Sequence, residues 1–163
     1  MNDRHNGKIP YICGPLTELP LDDQAHVKRF YERLADACKD AWDVRAFVPH
    51  EHYDPVRHAD FTPAQVDAAE RRQVCERTSV LVAAAIAPTW GGGIEVEMAY
   101  RSGVPIILLC NRAKLAARKI SRLLRGNPGV WGILTYDTED EAIWELRIAL
   151  AELANVPTPS VKR

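Results

Sequence analysis

Eight consecutive small or apolar residues, Val80 to Ala87, constrain this chain more than any other stretch. A run of that kind without polar interruption suits a strand buried on both faces, as in the middle of a parallel sheet. Pro88 and Thr89 end it, and Gly91, Gly92 and Gly93 follow Trp90. Beyond them Ile94, Met98 and Tyr100 stand at helical spacing among charged residues, so 79–100 reads as strand, glycine-rich loop and helix. This reading puts Glu95 in the first helical turn. Unpaired amides at a helix N-terminus bind anions, and glycines let a ligand approach the backbone. The same positive end favours an ionised carboxylate, which at the mouth of a sheet is a candidate nucleophile. The bland alternative is a glycine turn followed by a surface glutamate, since a lone glycine-rich loop is a weak signal.

The rest of the chain alternates in the same way. Ile9 to Cys13 reads as a short strand ended by Gly14-Pro15, and Val27, Phe30, Tyr31 and Leu34 mark one face of a following helix with Asp22 and Asp23 in its first turn. Arg45 to Pro49 is a second strand candidate. An irregular stretch from His50 to Phe61 carries three of the five histidines. Thr62-Pro63-Ala64-Gln65 is a capping box that opens a helix running to about Arg77. Val104 to Leu109 is another buried strand, followed by a basic helix from about Ala113 to Arg125 that Gly126 stops. Trp131 to Tyr136 is the last strand, and Thr138 with Glu141 forms a capping box for the C-terminal helix. This alternation predicts an α/β fold: a flavodoxin- or Rossmann-like, doubly wound sheet of five parallel strands in the order 2-1-3-4-5. Ligands in that arrangement bind where the winding reverses, between the first and third strands. The loops Gly14 to Thr17 and Thr89 to Glu95 then meet.

At 163 residues one domain is expected, over 1–155, with a flexible tail at 156–163. A net charge of -1 supplies no broad field for a nucleic acid polymer or an anionic membrane. No apolar run reaches the ~18 residues of a membrane helix. The opening residues MNDRHNGK lack the apolar core of a signal peptide. Cys13, Cys38, Cys75 and Cys110 are widely spaced, which reads as reduced thiols in a cytoplasmic protein rather than zinc ligands.

Several stretches together resemble the nucleoside 2-deoxyribosyltransferase superfamily, especially its 2'-deoxynucleoside 5'-phosphate N-hydrolases (the Rcl branch). They are Tyr11-Ile12-Cys13-Gly14, Asp23-Gln24-Ala25, Pro88 to Glu95, Gly103-Val104-Pro105, Ser121 to Gly126 and Thr135-Tyr136-Asp137. The similarity runs in order through nearly the whole chain. It implies an enzyme that cleaves or exchanges the N-glycosidic bond of a nucleoside or its 5'-monophosphate. Glu95 would attack C1' of the sugar, and Tyr11 would orient that carboxylate. The loop with Thr89, Gly91 and Gly93 would hold the 5' end, and Ser121 would reach a phosphate from a neighbouring subunit of a dimer or higher homo-oligomer. No metal or organic cofactor is implied.

The chain departs from that pattern at four positions. Arg71 and Ser79 stand where relatives carry aspartates, the first of which assists the chemistry. Asp67, one helical turn before Arg71, is the candidate substitute, and Glu70 is a less aligned one. Pro15 and Thr17 replace a serine and an arginine of the hydrolase branch, so Gly14-Pro15-Leu16 is closer to transferases that use free nucleosides.

Other groupings carry less. Glu95 and Glu97 are about 200° apart on a helix and cannot share one sugar. His50, His52, His58 and Asp60 match no closed zinc pattern. His50 alone follows the second strand and is a candidate for touching a base, and Trp90 is a candidate for stacking on one. Two rival readings complete the set: a nucleotide-binding module without turnover, for which Arg71 argues, and a phosphoribohydrolase of the cytokinin-activating type. The latter normally has PGG-x-GT, where this chain has TWGGGIE.

Overall fold

The computed structural model describes residues 7–156, so the expected tail lies, past Val156, outside the described residues. Along the chain run β1 (Ile9–Cys13), α1 (Leu21–Trp42), α2 (Pro49–Tyr53), α3 (Pro63–Arg77), β2 (Thr78–Ala84) and α4 (Trp90–Arg101). They are followed by β3 (Ile106–Asn111), α5 (Arg112–Ala116), α6 (Arg122–Arg125), β4 (Val130–Tyr136) and α7 (Glu139–Asn155). The strands form one parallel sheet in the order β1-β2-β3-β4.

The sheet has four strands where five were expected. The segment 45–49 contributes a single parallel bridge, Phe47 to Tyr11, on the outer edge of β1. There the Phe47 amide donates to the Pro10 carbonyl at 2.8 Å, and its own carbonyl accepts from the Ile12 amide at 2.9 Å. The ladder stops there because Pro49 has no N–H and opens α2.

Alternation along the strands sorts side chains onto two buried faces. Ile12, Val80, Val82, Ala84, Ile107 and Leu109 pack with α1 and α7. Tyr11, Cys13, Leu81, Ala83, Ile106, Leu108 and Cys110 pack with Val74 of α3 and with Val96, Met98 and Ala99 of α4. Both faces being covered explains the unbroken apolar run in β2. The expected capping box at Thr62 is present in both directions, Gln65 N to Thr62 Oγ1 at 3.3 Å and Thr62 N to Gln65 Oε1 at 2.9 Å. At Thr138 only half of one forms. Its hydroxyl accepts from the Glu141 amide, while the Glu141 carboxylate turns to the Asp137 amide and Arg112.

The single basic helix expected over 113–125 is two short ones. Arg118 adopts φ 57° between α5 and α6, a left-handed conformation that a continuous helix does not tolerate. Among the described residues, no helix is long and apolar enough to cross a membrane.

Candidate active site

A cleft of about 540 Å³ opens at the carboxyl ends of β1 and β2. Gly14, Leu16, Thr17 and Glu18 line one side, Thr89, Gly91, Gly92 and Ile94 another, and α2, α3 and the segment between them the rest. This is the crevice that an open parallel sheet creates where its connections diverge to opposite faces.

Glu95 forms part of its floor, but not as the sequence leads one to expect. Helix α4 begins at Trp90 with Thr89 as N-cap, so the glycines are its first turn rather than a loop and Glu95 sits in the second turn. The dipole argument for an ionised carboxylate therefore loses its basis, because that effect fades within the first turn. Glu95 is instead buried, and burial raises its carboxyl above the ordinary range, against the pull of bonds from Cys13 and Tyr11. The Tyr11 hydroxyl donates to Glu95 Oε1 at 2.5 Å. Tyr11 is itself held in an aromatic stack: its ring lies 5.6 Å from Phe47, which stacks on His52 at 4.3 Å.

Close approach explains two glycines. A Cβ on Gly92 would stand 2.7 Å from Thr89 Cγ2 and 3.3 Å from Cys13 Sγ. One on Gly14 would meet the Tyr31 hydroxyl at 2.2 Å, the same hydroxyl that donates to the Pro15 carbonyl at 2.7 Å. Helical side chains lean toward the N-terminus, so Glu95 lies over the turn of Gly91 and Gly92.

The second carboxyl of the cleft is Glu70. It is half-buried, and burial first, then the charges of Glu95 and Asp67, push it up to about 7. Asp67 also lines the cleft, but its carboxylate is held by Arg71 at 2.9 Å in an exposed pair one helical turn apart. Arg71 thus lies on the rim, occupied with Asp67, and is not among the cleft-lining residues.

His50 lines the cleft from α2 and is buried. Its Nε2 is 3.3 Å from Glu32 Oε1, and a carboxylate only accepts, so in the neutral ring Nε2 carries the hydrogen and Nδ1 is an acceptor. Nδ1 is buried with no partner among the described residues, and burial lowers the ring's pKa. Tyr53 and Phe61 meet edge to face at 5.6 Å beside it and give that end of the cleft an aromatic wall.

Other expected site residues are placed differently. Trp90 is 87% exposed and does not line the cleft. Gly93 and Ser121 line a second cavity of about 590 Å³ on the other side of the α4 N-terminus, where the Ser121 hydroxyl caps α6 by accepting from the Leu124 amide at 3.3 Å. Pro15 is buried behind the cleft wall. Among the described residues the metal-capable group is Glu32, His50 and Glu51, within 4.8 Å of one another. Arg45 already binds both Glu51 oxygens, at 2.8 and 2.7 Å. His58 accepts from the Asp54 amide at 3.1 Å, a structural use for another loop histidine.

Sequence reasoning passed over Glu18, Tyr53 and Phe61. The aromatic pair had a visible signal in the length of its loop. Glu18 had none.

Fold and cleft together define an open α/β protein with a buried carboxyl, Glu95, and a half-buried one, Glu70, in a cleft at the carboxyl ends of a parallel sheet. No family model matches the chain, and no curated protein matches it in sequence. Solved structures match it in fold. The fold is similar to that of a CMP N-glycosidase, BcmB, of Clostridium botulinum (TM-score 0.61, 19% identity, 87% of this chain and 99% of that one). It is also similar to BlsM in solution (TM-score 0.66, 18% identity, 96% and 99%) and to a conserved protein of Enterococcus faecalis V583 (TM-score 0.64, 17% identity, 87% and 98%).

Proposed function

We propose that this protein cleaves the N-glycosidic bond of a nucleoside or nucleotide, with Glu95 as nucleophile. The observation that carries the reading is a buried carboxyl on a cleft floor, fixed by the Tyr11 hydroxyl at 2.5 Å, with a second carboxyl, Glu70, lining the same cleft. The resemblance of its motifs to the 2-deoxyribosyltransferases supports the same assignment, and so does the similarity of fold to a CMP N-glycosidase.

The chemistry requires the two carboxyls in different states, and the bond from the Tyr11 hydroxyl favours the ionised form of Glu95. Ionised Glu95 attacks C1', the C1'–N bond breaks, and its electron pair leaves with the base. Protonated Glu70 gives that base a proton as it departs. A water then attacks C1' and releases Glu95, with Glu70 accepting the water's proton, so both groups return to their starting states. A second base in place of water turns the same cycle into exchange. Tyr11 fixes one carboxylate oxygen, Oε1, and so sets the orientation of the group. The His50 Nδ1 acceptor and the Tyr53–Phe61 wall suit the face and edge of a base. None of these steps calls for a metal.

Glu95→Gln keeps size and loses the charge. The expected result is folded protein, judged by circular dichroism, with base release down by at least about 10³-fold in chromatographic assays over a panel of nucleosides and monophosphates. Unchanged release from that variant ends the assignment.

A further inference from the structure

We propose that the cleft selects unphosphorylated nucleosides, and that Glu18 is the residue that turns away a 5'-phosphate. This rests on the glycosidase reading and adds the substrate's charge state to it. The cleft has two unlike ends. Tyr53, Phe61 and His50 make the aromatic end suited to a base. C1' must face Glu95, so a base at that end directs C5' across the sugar ring toward Thr17, Glu18 and Thr89.

At that far end stands a carboxylate. The Thr89 hydroxyl donates to Glu18 Oε1 at 3.4 Å, which places an acidic side chain beside the first turn of α4. A helix N-terminus attracts anions, and here one belonging to the protein is already next to it. A 5'-hydroxyl can donate to the Glu18 carboxylate. A phosphate dianion cannot, and it adds like charge at short range. The remaining charges of the cleft point the same way. Glu95 is ionised in the proposed cycle, Asp67 is balanced by Arg71, and burial disfavours the charged form of His50. Among the described residues lining the cleft there is no lysine or arginine to receive a phosphate.

The test uses the full chain with matched probes at pH 6.8: cytidine, adenosine and their 2'-deoxy forms, each against its own 5'-monophosphate. Free base is followed by chromatography for wild type, Glu18→Gln and Glu18→Lys, and binding of the same pairs to wild type is measured by calorimetry. The expected kcat/KM is at least about tenfold higher for the nucleoside of a pair. Glu18→Gln narrows that ratio, and Glu18→Lys narrows it further by improving the monophosphate. Equal or better cleavage of monophosphates, abolished by Glu95→Gln, overturns the selection by Glu18 and leaves the glycosidase reading standing. Absence of free base from every probe overturns the glycosidase reading. Calorimetry then decides the selection: tighter binding of nucleosides supports it, whereas equal or tighter binding of monophosphates, or no binding of either, overturns it.

Discussion

Glu70 is the residue at which burial and charge most visibly alter behaviour. Its carboxyl titrates near 7 in the folded chain against about 4.3 in an unfolded one. Between those values the folded state binds more protons, so this group makes wild-type stability fall as pH rises from about 4.3 to about 7. Glu70→Gln removes the penalty. In urea titrations its stability relative to wild type should grow through that window by about 1–2 kcal/mol and level off above it. The proposed role makes a separate demand. Base release by wild type should decline above about pH 7 as Glu70 loses its proton, and Glu70→Gln should be slow with that limb missing. A variant with the wild-type pH profile removes Glu70 from the proton transfer.

Helix α4 has a weak start on propensity grounds, because three glycines in one turn each cost about 0.5–1 kcal/mol relative to alanine. They differ in what they permit. Gly92 must stay bare for Thr89 and Cys13 to pack on it, whereas a Cβ on Gly91 meets nothing within 4 Å. Gly91→Ala should therefore raise thermal stability slightly through helix propensity, and Gly92→Ala should lower it by about 1–3 kcal/mol while displacing Thr89. Equal melting temperatures for the two variants contradict this account. The displacement matters for function as well, since Thr89 holds Glu18 at the cleft rim.

Across the whole molecule, acid stability depends on how the segment after α2 is tied to α1. Asp54 is buried, pairs with Lys28, and accepts from the amides of Val56 and Arg57 at 2.9 and 3.0 Å. Although burial alone raises its carboxyl, the Lys28 bond and the two amides outweigh that effect and hold it well below the usual carboxylate range. A depressed carboxyl contributes stability that is fully present above about pH 3.9 and is lost as pH falls toward its folded value. Asp54→Asn should cost about 1.5–3 kcal/mol at neutral pH, with the deficit shrinking below about pH 4 in denaturant titrations. A deficit independent of pH shows that shape rather than charge holds the segment.

Much of this architecture was legible from order and periodicity. The buried runs of β2 and β3, the amphipathic face of α1 and the capping box at Thr62 are local patterns, and local sterics and hydrogen bonding govern them. The meeting of the Gly14 and Thr89 loops followed from topology. Long-range packing decided the rest. It wound three glycines into a helix, reduced the segment at Phe47 to one bridge, and buried Glu95 under Tyr11, where the dipole no longer sets its charge. It also engaged Asp67 with Arg71 and brought Glu70 and Glu18 to the cleft. A carboxyl's protonation depends on the dielectric and charges within a few ångströms, and residues dozens of positions away supply most of those, so spacing along the chain cannot reveal it.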